Sequence, residues 1–314
     1  MDNSTIILPP PIRPGDCIGL FYPAGPVLDQ ERFDSGIELL HELGFSTKQY
    51  PPVTSSPHQY LAADDSARAE EFHTMWKDPE VHAMLAVRGG YGCLRMMPFL
   101  NLDILRENPK LVIGFSDLTV LLNTLADRTS IVALHGPVLT SLASSDTESI
   151  NSFATQITEN VQTTHKYNGI EILRGGSVTG TIRGGNLTTI AHLLGTPWEI
   201  PCQNTILILE DTGEPMYKID RILTQLFISG RLNQLAGLIL GSFDCSADED
   251  INLKLQEDVW NRVLELTVNT DYPVWSNFPI GHLNRNHTIP IGVTGTMNSS
   301  SVEITIEANN DNSR

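Results

Sequence analysis

Three residues that could share nucleophilic chemistry stand at the ends of apolar runs. Ser116 follows Leu111-Val112-Ile113-Gly114-Phe115 and precedes Asp117 and the helical pattern Leu118, Leu121, Leu122, Leu125. A strand, a tight turn and a helix in that order lift a serine out of a sheet as a nucleophile. The local pattern is G-x-S-D-L, without the second glycine usual in such turns, and a serine before a helix also serves as a plain N-cap. A serine hydroxyl is a weak nucleophile. It needs a base within hydrogen-bond reach, and the base needs an orienting acceptor. Among nine histidines, His282 follows the apolar run 274–280 and Gly281 and precedes a polar loop. It reads as that base or as a surface or capping histidine. Glu210 stands at the tip of Ile206-Leu207-Ile208-Leu209. There a carboxylate can accept from a histidine Nδ1–H, or form an ion pair that only supports the fold. An oxyanion hole needs two N–H groups. Asp117, next after the serine, offers one. The turn Arg88-Gly89-Gly90-Tyr91-Gly92 offers the other, because glycine lets backbone approach a ligand closely.

The elements around these residues alternate. Residues 16–21 read as a strand ending in Tyr22-Pro23-Ala24-Gly25-Pro26, and Phe33, Ile37, Leu40 and Leu43 fall at helical spacing before Gly44. Residues 82–87 form a second apolar run ending in the glycine turn. The serine strand and residues 131–134 follow. Strands each followed by a turn and usually a helix indicate an α/β layer with a mostly parallel sheet, whose functional residues gather at the carboxyl ends of strands. Residues 141–169 are polar and poorly patterned and read as a connector. A second α/β region holds Gly184-Gly185-Asn186, a helix, the strand 205–209 with Glu210-Asp211 at its tip, a helix with Ile219, Ile222, Leu223 and Leu226, and the strand 235–240. Residues 288–294 and 301–306 are expected to pair as strands, and the tail 309–314 to fray. The resulting boundaries are 1–145, a connector at 146–174, and 175–314.

A chain of 314 residues, 40% hydrophobic and 18% charged, can bury a full core. Its net charge of −17 repels phosphate backbones and anionic membranes, so nucleic acid and membrane are poor partners. The start lacks the basic residues and apolar run of a signal peptide, and no stretch approaches the ~18 apolar residues of a membrane span, so a cytoplasmic location is expected. Cys17, Cys93, Cys202 and Cys245 are widely spaced and read as reduced, mostly buried hydrophobes. His282 and His287 have no third ligand nearby, so no metal is expected.

Several motifs together are similar to those of the serine LD-carboxypeptidases, the family of murein tetrapeptide carboxypeptidases and microcin immunity peptidases. They are Val87-Arg88-Gly89-Gly90-Tyr91-Gly92, Gly114-Phe115-Ser116-Asp117, His135-Gly136-Pro137, Gly184-Gly185-Asn186-Leu187, Leu193-Leu194-Gly195-Thr196-Pro197-Trp198, Leu209-Glu210-Asp211-Thr212-Gly213-Glu214-Pro215, Gly281-His282 and Thr288-Ile289-Pro290-Ile291-Gly292. They run in the family's order over roughly residues 14–306. The resemblance implies an α/β fold of two domains: an N-terminal parallel-sheet domain with the nucleophile and a C-terminal α/β domain with a β-hairpin, the active site at their interface. It implies Ser116 as nucleophile, His282 as base, Glu210 as its orienting partner, and the N–H groups of Asp117 and Gly89 as the oxyanion hole. Ala24 departs from the serine usual in the first turn, and 283–287 is idiosyncratic.

The expected substrate is a murein tetrapeptide losing its terminal D-Ala, with no cofactor. Arg88, typical of the murein branch, suits a terminal carboxylate through its fork of donors; it equally suits ordering of its own loop. Gly90, Asn186 and Arg285 complete the expected substrate contacts, and a homodimer is implied. The alternatives are a microcin-immunity-type hydrolase of peptidyl or aminoacyl nucleotides and a non-catalytic muropeptide-binding protein.

Overall fold

The computed structural model describes residues 6–50, 58–159 and 164–307. Two units emerge. One holds the described residues up to 159 together with Asn286–Gly292; the other holds 164–285 and 293–307.

The first unit runs β1 (Cys17–Phe21), α1 (Gln30–Glu42), β2 (Ser46–Gln49), α2 (Asp65–Lys77), β3 (Ala83–Ala86), α3 (Cys93–Met96), β4 (Leu111–Gly114), α4 (Thr119–Thr124), β5 (Ala133–His135), α5 (Leu139–Leu142) and α6 (Thr147–Thr158). β5, β4, β3, β1 and β2 are neighbours in that order, and all their pairings are parallel. Every residue of β3 and β4 is buried. That is the pattern of central parallel strands covered on both faces, and it explains why both read as unbroken apolar runs. α1 starts at Asp29, whose side chain accepts from the Arg32 N–H at 3.0 Å. Its Phe33 and Leu40 pack with Ile18, Leu20, Leu85 and Ile113.

The expected connector departs from this. Residues 147–158 form α6, capped by Asp146, which accepts from the Ser149 N–H at 2.7 Å. Ile150, Phe153 and Ile157 recur at spacings of three and four, and Phe153 and Ile157 are fully buried in the first core. The first unit therefore extends past 145.

The second unit runs β6 (Thr164–Lys166), β7 (Glu171–Arg174), β8 (Ser177–Asn186), α7 (Leu187–Leu193), β9 (Thr205–Thr212), α8 (Met216–Ile228), β10 (Gly237–Asp244), α9 (Glu249–Leu266) and β11 (Val274–Ser276). β12 (Ile289–Ile291) intervenes, then β13 (Thr294–Asn298) and β14 (Glu303–Glu307). The strand order of this sheet is β6-β14-β13-β8-β9-β10-β11-β7. β8, β9, β10 and β11 are parallel in succession; the flanking strands pair antiparallel.

The expected pairing of 288–294 with 301–306 is corrected. The hairpin is β13 with β14, Thr294 opposite Glu307 and Asn298 opposite Glu303. β12 instead closes the edge of the first sheet, antiparallel to β5, with Ile289 opposite His135 and Ile291 opposite Ala133. Burial decides this: Ile289 and Ile291 are buried, and an apolar strand gains more against a core edge than in a solvated hairpin. The expected frayed tail, 309–314, lies outside the described residues. All four cysteines are free; Cys93 and Cys202 are buried, Cys17 is half-buried and Cys245 exposed.

Candidate functional site

In the first unit, β4 delivers Ser116 to the carboxyl edge of the sheet. Between residues 110 and 125 only Ser116 is not buried. Phe115 is still extended, and Ser116 then turns to φ 64. A non-glycine residue in the left-handed region costs about 1–2 kcal/mol and persists where the surroundings over-determine it, often at functional sites. The Leu118 N–H closes the turn on the Phe115 carbonyl at 3.3 Å. The Asp117 N–H lies in this first turn, where no intrahelical carbonyl is within reach.

The glycine turn after β3 lies against the serine. A Cβ on Gly89 would sit 3.0 Å from the Ser116 Cβ and 3.2 Å from its Oγ, so only glycine lets this backbone come so near. The Asp117 carboxylate, itself buried, fastens the two turns together. Its Oδ2 accepts from the Cys93 N–H at 2.7 Å, and the Gly92 N–H also donates to this carboxylate. Burial raises its pKa, against the pull of these donors and of Arg68. Arg68 is 1% exposed. It donates to the carbonyls of Gly92 at 2.8 Å, Ala63 at 3.1 Å and Pro23, joining three loops through one fork. The sequence reading used Asp117 only as an N–H donor and missed Arg68. An arginine on the same helix as the buried Phe72, Met75 and Trp76 was the available signal for Arg68.

In the second unit, β9 carries Glu210 into full burial. The Glu210 Oε2 lies 2.7 Å from the His282 Nδ1. A carboxylate there holds the proton on Nδ1 and leaves Nε2 as the basic nitrogen. Burial works to lower the His282 pKa. Glu210, by charge and hydrogen bond, and then Asp244 and Asp211 outweigh it, and the net shift is upward. Gly281, at φ 126, precedes the histidine, and a Cβ there would overlap the Ser242 hydroxyl. Asp211 beside Glu210 is 2% exposed. It accepts from the Thr188 N–H at 2.9 Å, the Thr188 hydroxyl at 2.7 Å and the Asn186 side chain at 3.0 Å. Burial raises its pKa. Asp244, at the end of β10, is a third carboxylate acting on His282 and was not legible as such.

The expected substrate contacts fall into distinct settings. The Arg88 Nη1 donates to the Pro26 carbonyl at 3.0 Å, tying its loop to the first turn. Gly90 is exposed at φ 120. Asn186 is buried: its Oδ1 caps α7 by accepting from the Thr189 N–H at 2.9 Å, and its Nδ2 donates to Asp211. The Arg285 Nη2 donates to the Asn168 carbonyl at 2.7 Å. His282 and His287 belong to different units, and the His287 Nε2 lies 3.9 Å from Glu148. Among the described residues no group of three or more His, Cys, Asp or Glu could hold a metal ion, and no helix is long and apolar enough to cross a membrane.

Residues 18–136 match the family model of the LD-carboxypeptidase N-terminal domain, and residues 179–297 that of the LD-carboxypeptidase C-terminal domain. A Bacillus subtilis protein named "Probable murein peptide carboxypeptidase" is 31% identical over 306 residues, covering 96% of this chain and 94% of its own. The microcin C7 self-immunity protein of Escherichia coli is 27% identical, covering 93% of each chain. The crystal structure of muramoyltetrapeptide carboxypeptidase from Oxalobacter formigenes superposes with a TM-score of 0.78 at 28% identity, over 92% of this chain and 97% of that one. With both halves matched in order, the chain belongs to the LD-carboxypeptidase family and is a serine-type hydrolase.

Proposed function

We propose that this chain removes the terminal D-Ala from a murein tetrapeptide, cleaving the bond between an L centre and D-Ala. The observation that carries this reading is Ser116, held at φ 64 at the carboxyl end of β4 as the one incompletely buried residue of its stretch. Its Oγ attacks the scissile carbonyl while the His282 Nε2 takes its proton. Glu210 holds the imidazole and stabilises the imidazolium that forms. The N–H groups of Asp117 and Gly89 receive the oxyanion. The imidazolium then gives its proton to the departing D-Ala amine. Water, activated by the same histidine, hydrolyses the acyl-enzyme and frees the tripeptide and Ser116. No metal or organic cofactor takes part.

In this reading Asn186 touches no substrate. It fixes Asp211 and the start of α7, and so the floor beside Glu210. Arg88 and Arg285 remain the groups for anionic parts of the substrate, and Gly90 gives the peptide room to approach. The murein names of the Bacillus and Oxalobacter proteins support the substrate class. A cytoplasmic homodimer completes the reading, on the family resemblance. The likeness to the microcin C7 self-immunity protein favours one second reading, a hydrolase of peptidyl or aminoacyl nucleotides.

Mass spectrometry of purified tetrapeptide incubated with the protein tests the proposal. The expected products are tripeptide and free alanine with the parent chain and intact peptide with Ser116→Ala. Intact tetrapeptide alongside cleavage of an aminoacyl-nucleotide conjugate would replace the first reading by the second. Failure of a covalent serine reagent to label Ser116 would leave only a muropeptide-binding protein.

A further inference from the structure

The turn that offers the second oxyanion donor is built from residues that cannot hold a shape by themselves. Gly90 stands at φ 120 and Gly92 at φ 148, and glycine moves between backbone regions more freely than any other residue. An oxyanion hole works only when its N–H groups already point to where charge will develop. Side chains outside Arg88-Gly89-Gly90-Tyr91-Gly92 must therefore fix the turn.

Two of them grip it at Gly92. On one side the Asp117 carboxylate accepts from the Gly92 and Cys93 N–H groups. On the other the Arg68 Nη1 donates to the Gly92 carbonyl at 2.8 Å. The same Nη1 donates to the Pro23 carbonyl, and Nε to the Ala63 carbonyl at 3.1 Å. The fit is close: a Cβ on Gly92 would sit 2.9 Å from Nη1. A buried guanidinium holds such a place only with a counter-charge. Asp65, the first residue of α2 and one turn before Arg68, supplies it. Its Oδ1 accepts from the Arg68 Nη2, and its Oδ2 accepts from the Arg95 Nε at 3.0 Å. Arg95 reaches the Tyr60 hydroxyl at 3.4 Å, and the Tyr60 ring lies 6.1 Å from that of Tyr91 in the turn. One carboxylate thus braces the turn from within, through Arg68, and from outside, through Arg95 and Tyr60.

We propose that Asp65 and Arg68 are positioning residues of the reaction: the pair sets the direction of the glycine turn, and so of the Gly89 N–H, before substrate arrives. This role rests on the oxyanion hole and the serine mechanism proposed above. A lysine cannot stand in for the arginine, since one ammonium on a flexible stem lacks the planar fork that spans three carbonyls and a carboxylate.

Labelling of Ser116 by a fluorophosphonate tests this without any peptide. The serine oxygen bonds to phosphorus, the P–F bond breaks, fluoride leaves, and the phosphonyl oxygen takes the place of the oxyanion. The second-order rate constant reports the hole, while the final extent of labelling reports how much protein is folded. Arg68→Lys and Asp65→Asn are each expected to slow labelling at least about tenfold at an unchanged final extent. On the tetrapeptide the same variants should lower kcat and leave KM within about twofold of the parent. Lys110→Met is the control for a merely structural role. Lys110 is also a buried cation of the first unit, and it ties the Met75, Asp78 and Val81 carbonyls together at the opposite edge of the sheet. This variant should melt at a lower temperature and label at the parental rate constant.

A parental rate constant in either Arg68→Lys or Asp65→Asn overturns the proposal; where Arg68→Lys does not fold, Asp65→Asn decides alone. A loss in Lys110→Met as large as in Arg68→Lys overturns it too, since general loosening would then account for both. No labelling of the parent chain overturns the serine mechanism itself, and this role with it. Labelling without release of alanine overturns only the proposed substrate, and the rate constants still decide the pair.

Discussion

Around Ser116 the first unit works with backbone: a left-handed serine, a glycine with no room for a Cβ, and N–H groups at the start of a helical turn. Around His282 the second unit works with charge, one imidazole within the influence of three carboxylates, Glu210, Asp244 and Asp211. The first arrangement is mainly steric, its buried Asp117 carboxylate serving to fasten the two turns. The second is electrostatic and titrates. On the proposed mechanism the two arrangements serve one reaction and should fail in different ways when disturbed.

The largest effect is expected at the proposed nucleophile. Ser116→Ala should lower D-Ala release by about 10⁴-fold or more, with the melting temperature unchanged within a few degrees, because the side chain contributes little to the core. His282→Ala should do the same. Residual activity above about a tenth of the parent would remove Ser116 from the reaction.

Glu210→Gln comes next, at about 10³-fold in kcat, with a signature of its own. The base must be neutral, so kcat/KM rises with pH through the His282 pKa. Burial lowers that pKa, but Glu210 and the two aspartates raise it further, so the parent midpoint lies above the ordinary histidine value. Removing the Glu210 charge lets burial prevail, and the midpoint moves to lower pH. A pH–rate profile reads this directly. An unmoved midpoint would end the electrostatic half of the contrast.

Gly89→Ala should cost about a hundredfold, because a methyl 3.0 Å from the Ser116 Cβ must push the serine or the turn aside, and about 1 Å of misplacement is enough. Its pH midpoint should stay where it is, which sharpens the distinction from Glu210→Gln. The smallest effect is expected for Asp117→Asn. An amide oxygen can still accept from one of the two N–H groups, so activity should fall about tenfold and stability by about 1–2 kcal/mol in chemical denaturation.

Much of this was legible along the chain, for local reasons. β1, β3 and β4 are contiguous apolar runs, and their turns announce themselves with Pro, Gly and Ser. Ser116, Glu210 and His282 each end such a run. The strand β12 was anticipated within 288–294, but its partner was not, because β5 lies about 150 residues earlier and such a pairing leaves no local signal. α6 was hidden by its polar composition, although Ile150, Phe153 and Ile157 already held the helical spacing. Asp244 and Arg68 act through space on residues far from them in sequence, and no spacing rule reaches that far. Asn186 sits in a motif that reads as a contact, and its buried side chain caps α7, a role the motif does not announce.

The route of the chain has a practical consequence. After β11 and the His282 segment it re-enters the first unit for seven residues, Asn286–Gly292, before returning for β13 and β14. No single peptide bond separates the two units. A protease nick or a gene split near residue 160 would yield an N-terminal fragment whose sheet lacks its edge strand and a C-terminal fragment carrying that strand without its sheet. Such fragments should recover activity only by reassociating. A transplant of either unit into a relative must likewise be made as two insertions, with β12 travelling as part of the first.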